Sequence, residues 1–174
     1  MKKNLFLILA LVAFATVVFA EVNIGIINPQ AVLQNSIKGK EAIERLKSLQ
    51  TSKQKKGEAI QKEIDALEKE VLSPALNQGT RDRKAQDLQN KRVEIKRFAE
   101  DYQKEMGVAQ QKEFEKIQGD LMPIIEKIAK ENGFSLVLDL NTAGITYFEP
   151  GIDITEKVVN AYDAQSAAAP APKK

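Results

Sequence analysis

The sequence predicts a mainly helical α+β protein: a long antiparallel helical hairpin of coiled-coil character, standing on a small β-rich body. Three observations predict it. The middle of the chain is rich in Lys, Glu, Gln, Ala and Leu, and its apolar residues recur at steps of three and four. That stretch is broken once, at residues 72–79 (LSPALNQG), where Pro74, Asn77 and Gly79 are turn residues. Short β-branched runs lie only outside it, toward the two ends of the chain. The composition agrees, since 29% charged and 6% aromatic residues with no Trp suit exposed helices better than a compact globule.

Residues 1–20 read as a secretory signal peptide. Lys2 and Lys3 form a basic start, an apolar run interrupted only by Thr16 follows, and Val18-Phe19-Ala20 places cleavage after Ala20. A run of about fifteen residues is short for a hydrocarbon core of ~30 Å, and no stop-transfer pattern follows, so a membrane anchor is the weaker reading. The expected location is the periplasm. Without Cys, neither a lipid-modified start nor a disulfide is available, so stability must come from packing and oligomerisation. Of 26 Lys and Arg, Lys2 and Lys3 leave with the signal, so 24 basic residues face 24 acidic ones. A neutral exported chain lacks the concentrated positive charge that holds nucleic acid, so no nucleic-acid partner is expected.

The elements follow in order. Residues 22–27 (VNIGII) are apolar and β-branched, a buried strand. Asn28 is a good N-cap and Pro29 suits a first helical position, so a short helix over 29–34 is expected. The first arm begins near Lys38, with Ile43, Leu46 and Leu49, then Ile60, Ile64, Leu67 and Val71, at helical spacing. Residues 51–58 (TSKQKKGE) between them carry no large apolar side chain, and are expected to be solvated on all sides or to line an open space. Gly57 weakens the helix by ~1 kcal/mol relative to Ala and is an expected soft point.

After the turn, Thr80 is the expected cap of a second helix running from about Arg81 to Asn132. Leu88, Ile95, Tyr102 and Ala109 recur every seven residues, and Ala85, Ala99 and Met106 make a second stripe. The phase shifts near Gln110 to Phe114, Ile117, Leu121, Ile124 and Ile128, where the helix should leave the arm and enter the body. Pro123, four residues after Gly119, predicts a kink there. Gly133 should end the helix. Residues 134–140 (FSLVLDL) and 145–148 (ITYF), joined by NTAG, predict a β-hairpin. Residues 153–156 (DITE) have capping-box spacing and open a last helix through about Tyr162. The Ala/Pro-rich end, 166–174, reads as a disordered tail.

The organisation is then a body from residues 21–37 and 114–165, and an arm from 38–113 with its tip near 73–80. Val22, Ile24, Ile26, Phe134, Leu136, Leu138, Ile145 and Tyr147 are the candidate core and oligomer residues of the body. Three short strands bury too little surface to be stable alone, so copies are expected to share one sheet or barrel and protect its edges. With no His and no Cys, and no carboxylates or hydroxyls converging on a motif, neither an enzyme nor a cofactor is expected.

The opening VNIGIINPQAVLQNS, the long charged hairpin, and the closing GFSLVLDLNTAGITYFEPGIDITEKVV together resemble the Skp/OmpH family of periplasmic chaperones. The resemblance covers nearly the whole mature chain and is carried mostly by its two ends. It implies a jellyfish-like homotrimer whose helical arms enclose a cavity. That cavity would hold unfolded outer-membrane β-barrel proteins without ATP and keep them from aggregating. It also implies contact with a membrane surface or lipopolysaccharide, for which no residue here is assigned. Members are often strongly basic, and this chain is not. Arg81, Arg83 and Lys84 near the tip, with Lys91, Arg92, Lys96 and Arg97 along the second arm, are the candidate client-contact patches; interleaved Asp82, Asp87 and Glu94 favour an ordinary solvated face. The rival readings are an adaptor whose hairpin docks a transport channel in the cell envelope, and a lectin-like or peptidoglycan spacer.

Overall fold

The computed structural model describes residues 22–168. The signal peptide and residues 169–174 of the expected tail lie outside the described residues. Strand β1 (Ile24–Ile27) leads into helix α1 (Pro29–Asn35), the arm helices α2 (Ile37–Val71) and α3 (Gln78–Glu131), strand β2 (Leu136–Asp139) and helix α4 (Thr155–Ala168), with a 3-10 turn at Pro150–Ile152. The last helix therefore extends past Tyr162 into the stretch read as tail.

The two strands pair in parallel, Ile24 opposite Leu136 and Ile26 opposite Leu138. A parallel pair needs a long crossover, and here the whole helical hairpin supplies it. The ladder is extended by the Ser135 N–H donating to Asn23 O at 2.8 Å and the Leu140 N–H to Ile27 O at 2.8 Å. The expected hairpin of 134–140 with 145–148 is not formed, and residues 145–148 are not a strand. The reason lies in the turn. The Ala143 N–H donates to Asp139 O (2.9 Å) and the Asn141 N–H to the Asp139 carboxylate (2.8 Å), a helical turn that sends the chain away from β2. The chain returns on the other side of β1, where Asp153 bridges Ile26 and the Ile154 N–H donates to Ile26 O at 2.9 Å.

Strand alternation gives the sheet two faces. Ile27 and Val137 pack toward the helices, with Phe134 lying over Gly25; a Cβ on Gly25 would meet that ring at 3.3 Å. The core continues through Val32, Ala42, Ile117, Leu121, Ile124 and Ile128, and is closed by Ile154, just before α4, with Val158 and Tyr162 of α4. The shift in phase along α3 is therefore real, but Phe114 does not belong to the inward stripe and is 59% exposed. Glu113 takes the inward place at that turn, drawn by Arg45 of α2, which holds it through two hydrogen bonds of 2.9 and 2.8 Å.

Local chemistry fixes the ends. Asn28 accepts the Ala31 N–H (3.0 Å) and Pro29 occupies the first turn, as its sequence predicts. Asn77, not Thr80, caps α3: its side chain accepts the Thr80 N–H at 2.9 Å, so the helix begins earlier than expected. Ser36 alone separates α1 from α2; its fully buried hydroxyl accepts the Gly39 N–H at 3.1 Å. Gly39 allows this tight corner, since a Cβ there would lie 2.0 Å from the Leu33 carbonyl oxygen. Backbone cannot yield as a side-chain end can. Gly39→Ala is expected to cost about 1–3 kcal/mol as overpacking, read as a lower urea midpoint; an unchanged midpoint would contradict the close approach of α1 and α2.

Candidate functional site: the arm and the open face of the body

Along the arm, Leu46, Leu49, Ile60, Ile64, Leu67 and Val71 of α2 turn toward α3, which answers with Leu88, Ile95, Tyr102 and Ala109, each partly or fully shielded. Ile43 is exposed instead. So are Ala85 and Ala99, and the second stripe of α3 is carried by Lys84, Lys91, Phe98 and Met106. The polar stretch 51–58 is not solvated on every side. Lys53 pairs across the seam with Glu105. Gly57 is a notch for Phe98, whose ring edge would stand 3.2 Å from an added Cβ, and the Lys56 ammonium lies 5.6 Å from the centre of that ring. Beside this contact an open groove of ≈ 460 Å³ is lined by Lys56, Ile60, Val93, Arg97, Phe98 and Asp101, among others. A smaller one of ≈ 260 Å³ lies nearer the root, beside Tyr102 and Met106.

Most of the candidate client-contact cations are engaged within the arm. Lys84 pairs with Glu70 of α2. Lys91 bridges Glu63 at 2.7 Å and Glu94 at 2.9 Å, and Arg92 reaches Glu68 at 2.7 Å. The hydrogen bonds donated to these carboxylates raise Lys84 and Lys91 above the ordinary lysine range. Arg81 holds the tip, donating to the Ser73 and Leu76 carbonyls at 3.3 Å each, and Arg83 donates to Gly79 O at 3.2 Å. Among the described residues only Lys96 and Arg97 of the seven have no such partner, and Arg97 lies in the larger groove. The tip itself presents Leu72, 82% exposed, on a turn fixed by Arg81.

The root of the arm carries a cluster that the sequence did not single out. The Asp120 Oδ2 accepts from Lys38 Nζ at 3.0 Å and from the Tyr162 hydroxyl at 2.9 Å. Burial pushes the Asp120 carboxyl up, but these two hydrogen bonds outweigh it and hold the group below its ordinary value. Burial, then the bond to Asp120, raises Tyr162 above the usual phenol range. Glu113 is lowered by the hydrogen bonds from Arg45. Tyr162 could have been suspected from sequence: it follows Val158 by four residues on an apolar helix face, and a buried phenol needs a partner.

The second face of the sheet is open at one strand residue, Leu136. Of the candidate body residues, Ile26 is buried, and Ile24, Phe134, Leu138 and Ile145 are partly shielded. Val22 is exposed, Leu136 is 47% exposed and Tyr147 81%. Ile24, Ile26, Leu136 and Leu138 share the face turned away from Ile27 and Val137, and Ile26 is buried there. Within one chain they are not the core that the alternation of residues 134–138 suggested; that place belongs to Phe134 and Val137.

These features define a class: a long, ion-paired helical hairpin whose two roots are gathered on a minimal two-stranded sheet. Residues 23–162 match the OmpH family, described as outer membrane protein (OmpH-like), and the chain belongs to that family. A crystal structure described as a candidate outer membrane chaperone (OmpH-like) from Caulobacter crescentus CB15 is similar to it, with a TM-score of 0.73 at 24% identity over 84% of this chain and 86% of that one; the likeness is one of fold. No curated protein matches the chain.

Because the Asp120 and Glu113 carboxyls are lowered in the folded protein, the stability they contribute is present above the unfolded carboxylate values near pH ~4 and is lost as pH falls through the folded ones. Asp120→Asn with Glu113→Gln should cost about 1–2 kcal/mol at pH 7, charged hydrogen bonds discounted for solvent access. The gap in urea midpoint from wild type should narrow as the pH drops below ~4. A gap of equal size at all pH values would show that neither carboxylate acts through its charge.

Proposed function

We propose that this protein is an ATP-independent periplasmic holdase: a homotrimer whose arms surround unfolded outer-membrane β-barrel proteins and keep them from aggregating. The observation that carries this reading is a minimal two-stranded sheet, with Leu136 half open on it, at the base of a long helical hairpin. A two-stranded sheet whose β2 edge is unpaired among the described residues is marginal alone, which supports completion by other copies. Copies that close it would set their arms side by side around a common space.

Holding a client there needs no catalytic group. Each arm contact is weak, but several arms acting on one chain raise its effective concentration. Separation of the client's strands from one another suppresses β-aggregation. Because the arm's own ion pairs engage most of its cations, capture rests on confinement and on the mixed groove where Ile60, Val93 and Phe98 lie among Lys56, Arg97 and Asp101 more than on a uniform charge. A client that folds into the membrane withdraws from the equilibrium, which is release without ATP.

One observation favours a second reading, an adaptor in the cell envelope. Leu72 stands exposed on a tip whose turn is hydrogen-bonded by Arg81, a geometry suited to docking one folded partner. The two separate by light scattering of a urea-denatured outer-membrane barrel diluted into buffer. The holdase suppresses scattering from unrelated barrels, and Leu72→Ser retains that activity. An adaptor leaves the scattering unchanged. Leu136→Asp should keep the helical content of the protomer, since that residue is half open, and reduce the assembly to single chains by placing a charge in the shared face. Sedimentation of the variant at the wild-type mass would sink the shared-body reading.

A further inference from the structure

The arm is a lever. At 1.5 Å per residue the 35 residues of α2 span about 52 Å, so a rotation of about 10° at the root carries the tip through about 9 Å. The direction of the arm is set by whatever holds that root. On the α2 side the covalent link is one residue, Ser36, at the tight corner with α1; the relation of both arm helices to the body needs further contacts.

We propose that α4 is the clamp that sets the direction of the arm, with Tyr162 and Asp163 as its positioning residues. Four contacts converge there. The Tyr162 hydroxyl donates to Asp120 Oδ2 of α3 at 2.9 Å. Lys38 of α2 donates to the same oxygen at 3.0 Å and stands 5.0 Å from the centre of the Tyr162 ring. One residue on, Asp163 Oδ1 accepts the Ile37 N–H at 2.8 Å. That donor belongs to the first turn of α2 and has no partner inside its own helix, and a carboxylate at a helix N-terminus is favoured by the helix dipole. Both arm helices are thus tied to one turn of α4.

The clamp is itself anchored. Tyr162 is fully buried, in one core with Ile154 and Val158, so its hydroxyl moves only if α4 moves. At the other end of α4, the Thr155 hydroxyl accepts the Asn28 N–H at 2.9 Å, fixing the helix to the chain between β1 and α1. The helix therefore relates the sheet to the arm at two levels. The match to the family runs to Tyr162, whereas α4 continues through Ala168, so the bond from Asp163 lies beyond the matched segment. This reading does not depend on what the arm holds.

The test uses the absence of cysteine from the chain, which lets introduced cysteines carry the only spin labels. Labels at Gln78→Cys on the tip and Thr142→Cys on the body turn report the direction of the arm. Labels at Gln54→Cys and Gln78→Cys report the arm alone. Both pairs are measured by double electron–electron resonance in labelled chains diluted with unlabelled ones. In Tyr162→Phe with Asp163→Ala, the tip-to-body distribution should widen at least twofold while the pair within the arm keeps its wild-type width. A tip-to-body width equal to wild type, or equal broadening of both pairs, overturns the clamp. A role in stability alone would lower the melting temperature and leave the distribution narrow. If the double variant loses its helical circular dichroism, Tyr162→Phe, which keeps the buried ring and deletes only the hydroxyl, decides by the same criterion.

Discussion

The structure depends on the parallel pairing of Ile24–Ile27 with Leu136–Asp139. It joins the two ends of the chain across the whole hairpin, a contact of very long range whose closure costs entropy before it returns any stability. The arm shortens that loop. Once α2 and α3 zip from the turn at Asn77, the root segments are neighbours, and pairing the strands closes only a short remaining gap. The apolar core then forms where all the pieces meet. Ile27, Val32, Ala42, Ile117, Leu121, Ile124, Ile128, Ile154, Val158 and Tyr162 are drawn from every helix and from β1. Without the pairing, α4 would have no site to fill and the arm no base.

The polar chemistry of the molecule is arranged around the same hairpin. No side-chain nitrogen or oxygen buried among the described residues is left without a partner. Ser36 is the clearest case, a hydroxyl in the core that serves as a helix cap. Along the arm, cross-seam pairs such as Lys53 with Glu105 and Lys91 with Glu63 stand where a continuous coiled coil would place apolar residues. Exposed pairs of this kind contribute little each, so the middle of the arm is held more loosely than its root. A chain with 26 basic and 24 acidic residues, most of its candidate arm cations paired, also differs from a polycation. The groove next to Phe98, where apolar and charged side chains meet, is therefore the more telling feature of the arm.

Long periodic segments were legible in the sequence because periodicity is a local property. The hairpin, its turn, the inward stripe from Ile117 to Ile128 and the end of α3 at Gly133, whose φ of +68° suits glycine, were all readable that way. The sheet was less legible. Residues 145–148 have strand composition, and only the hydrogen bonds at Asp139 decide that the chain turns away. Phe114 and Glu113 exchanged places for a similar reason: the inward position was settled by Arg45 on the other helix, which no window along one helix reveals. Gly57 illustrates the same limit. Propensity reads it as a weak point, whereas Phe98 from α3 makes it a notch. The root cluster of Lys38, Asp120 and Tyr162 joins residues remote in sequence, and charge patterning alone could not have assembled it.

One chain is proposed to be an incomplete body, and its closure by copies to create a space for clients. Native mass spectrometry of the chain from Glu21, alone and after mixing with a urea-denatured outer-membrane barrel, tests it most directly. The account predicts the mass of three copies, and then of three copies with one client chain. A single-chain mass would contradict the shared body, and a trimer that takes up no client would contradict the function proposed for it.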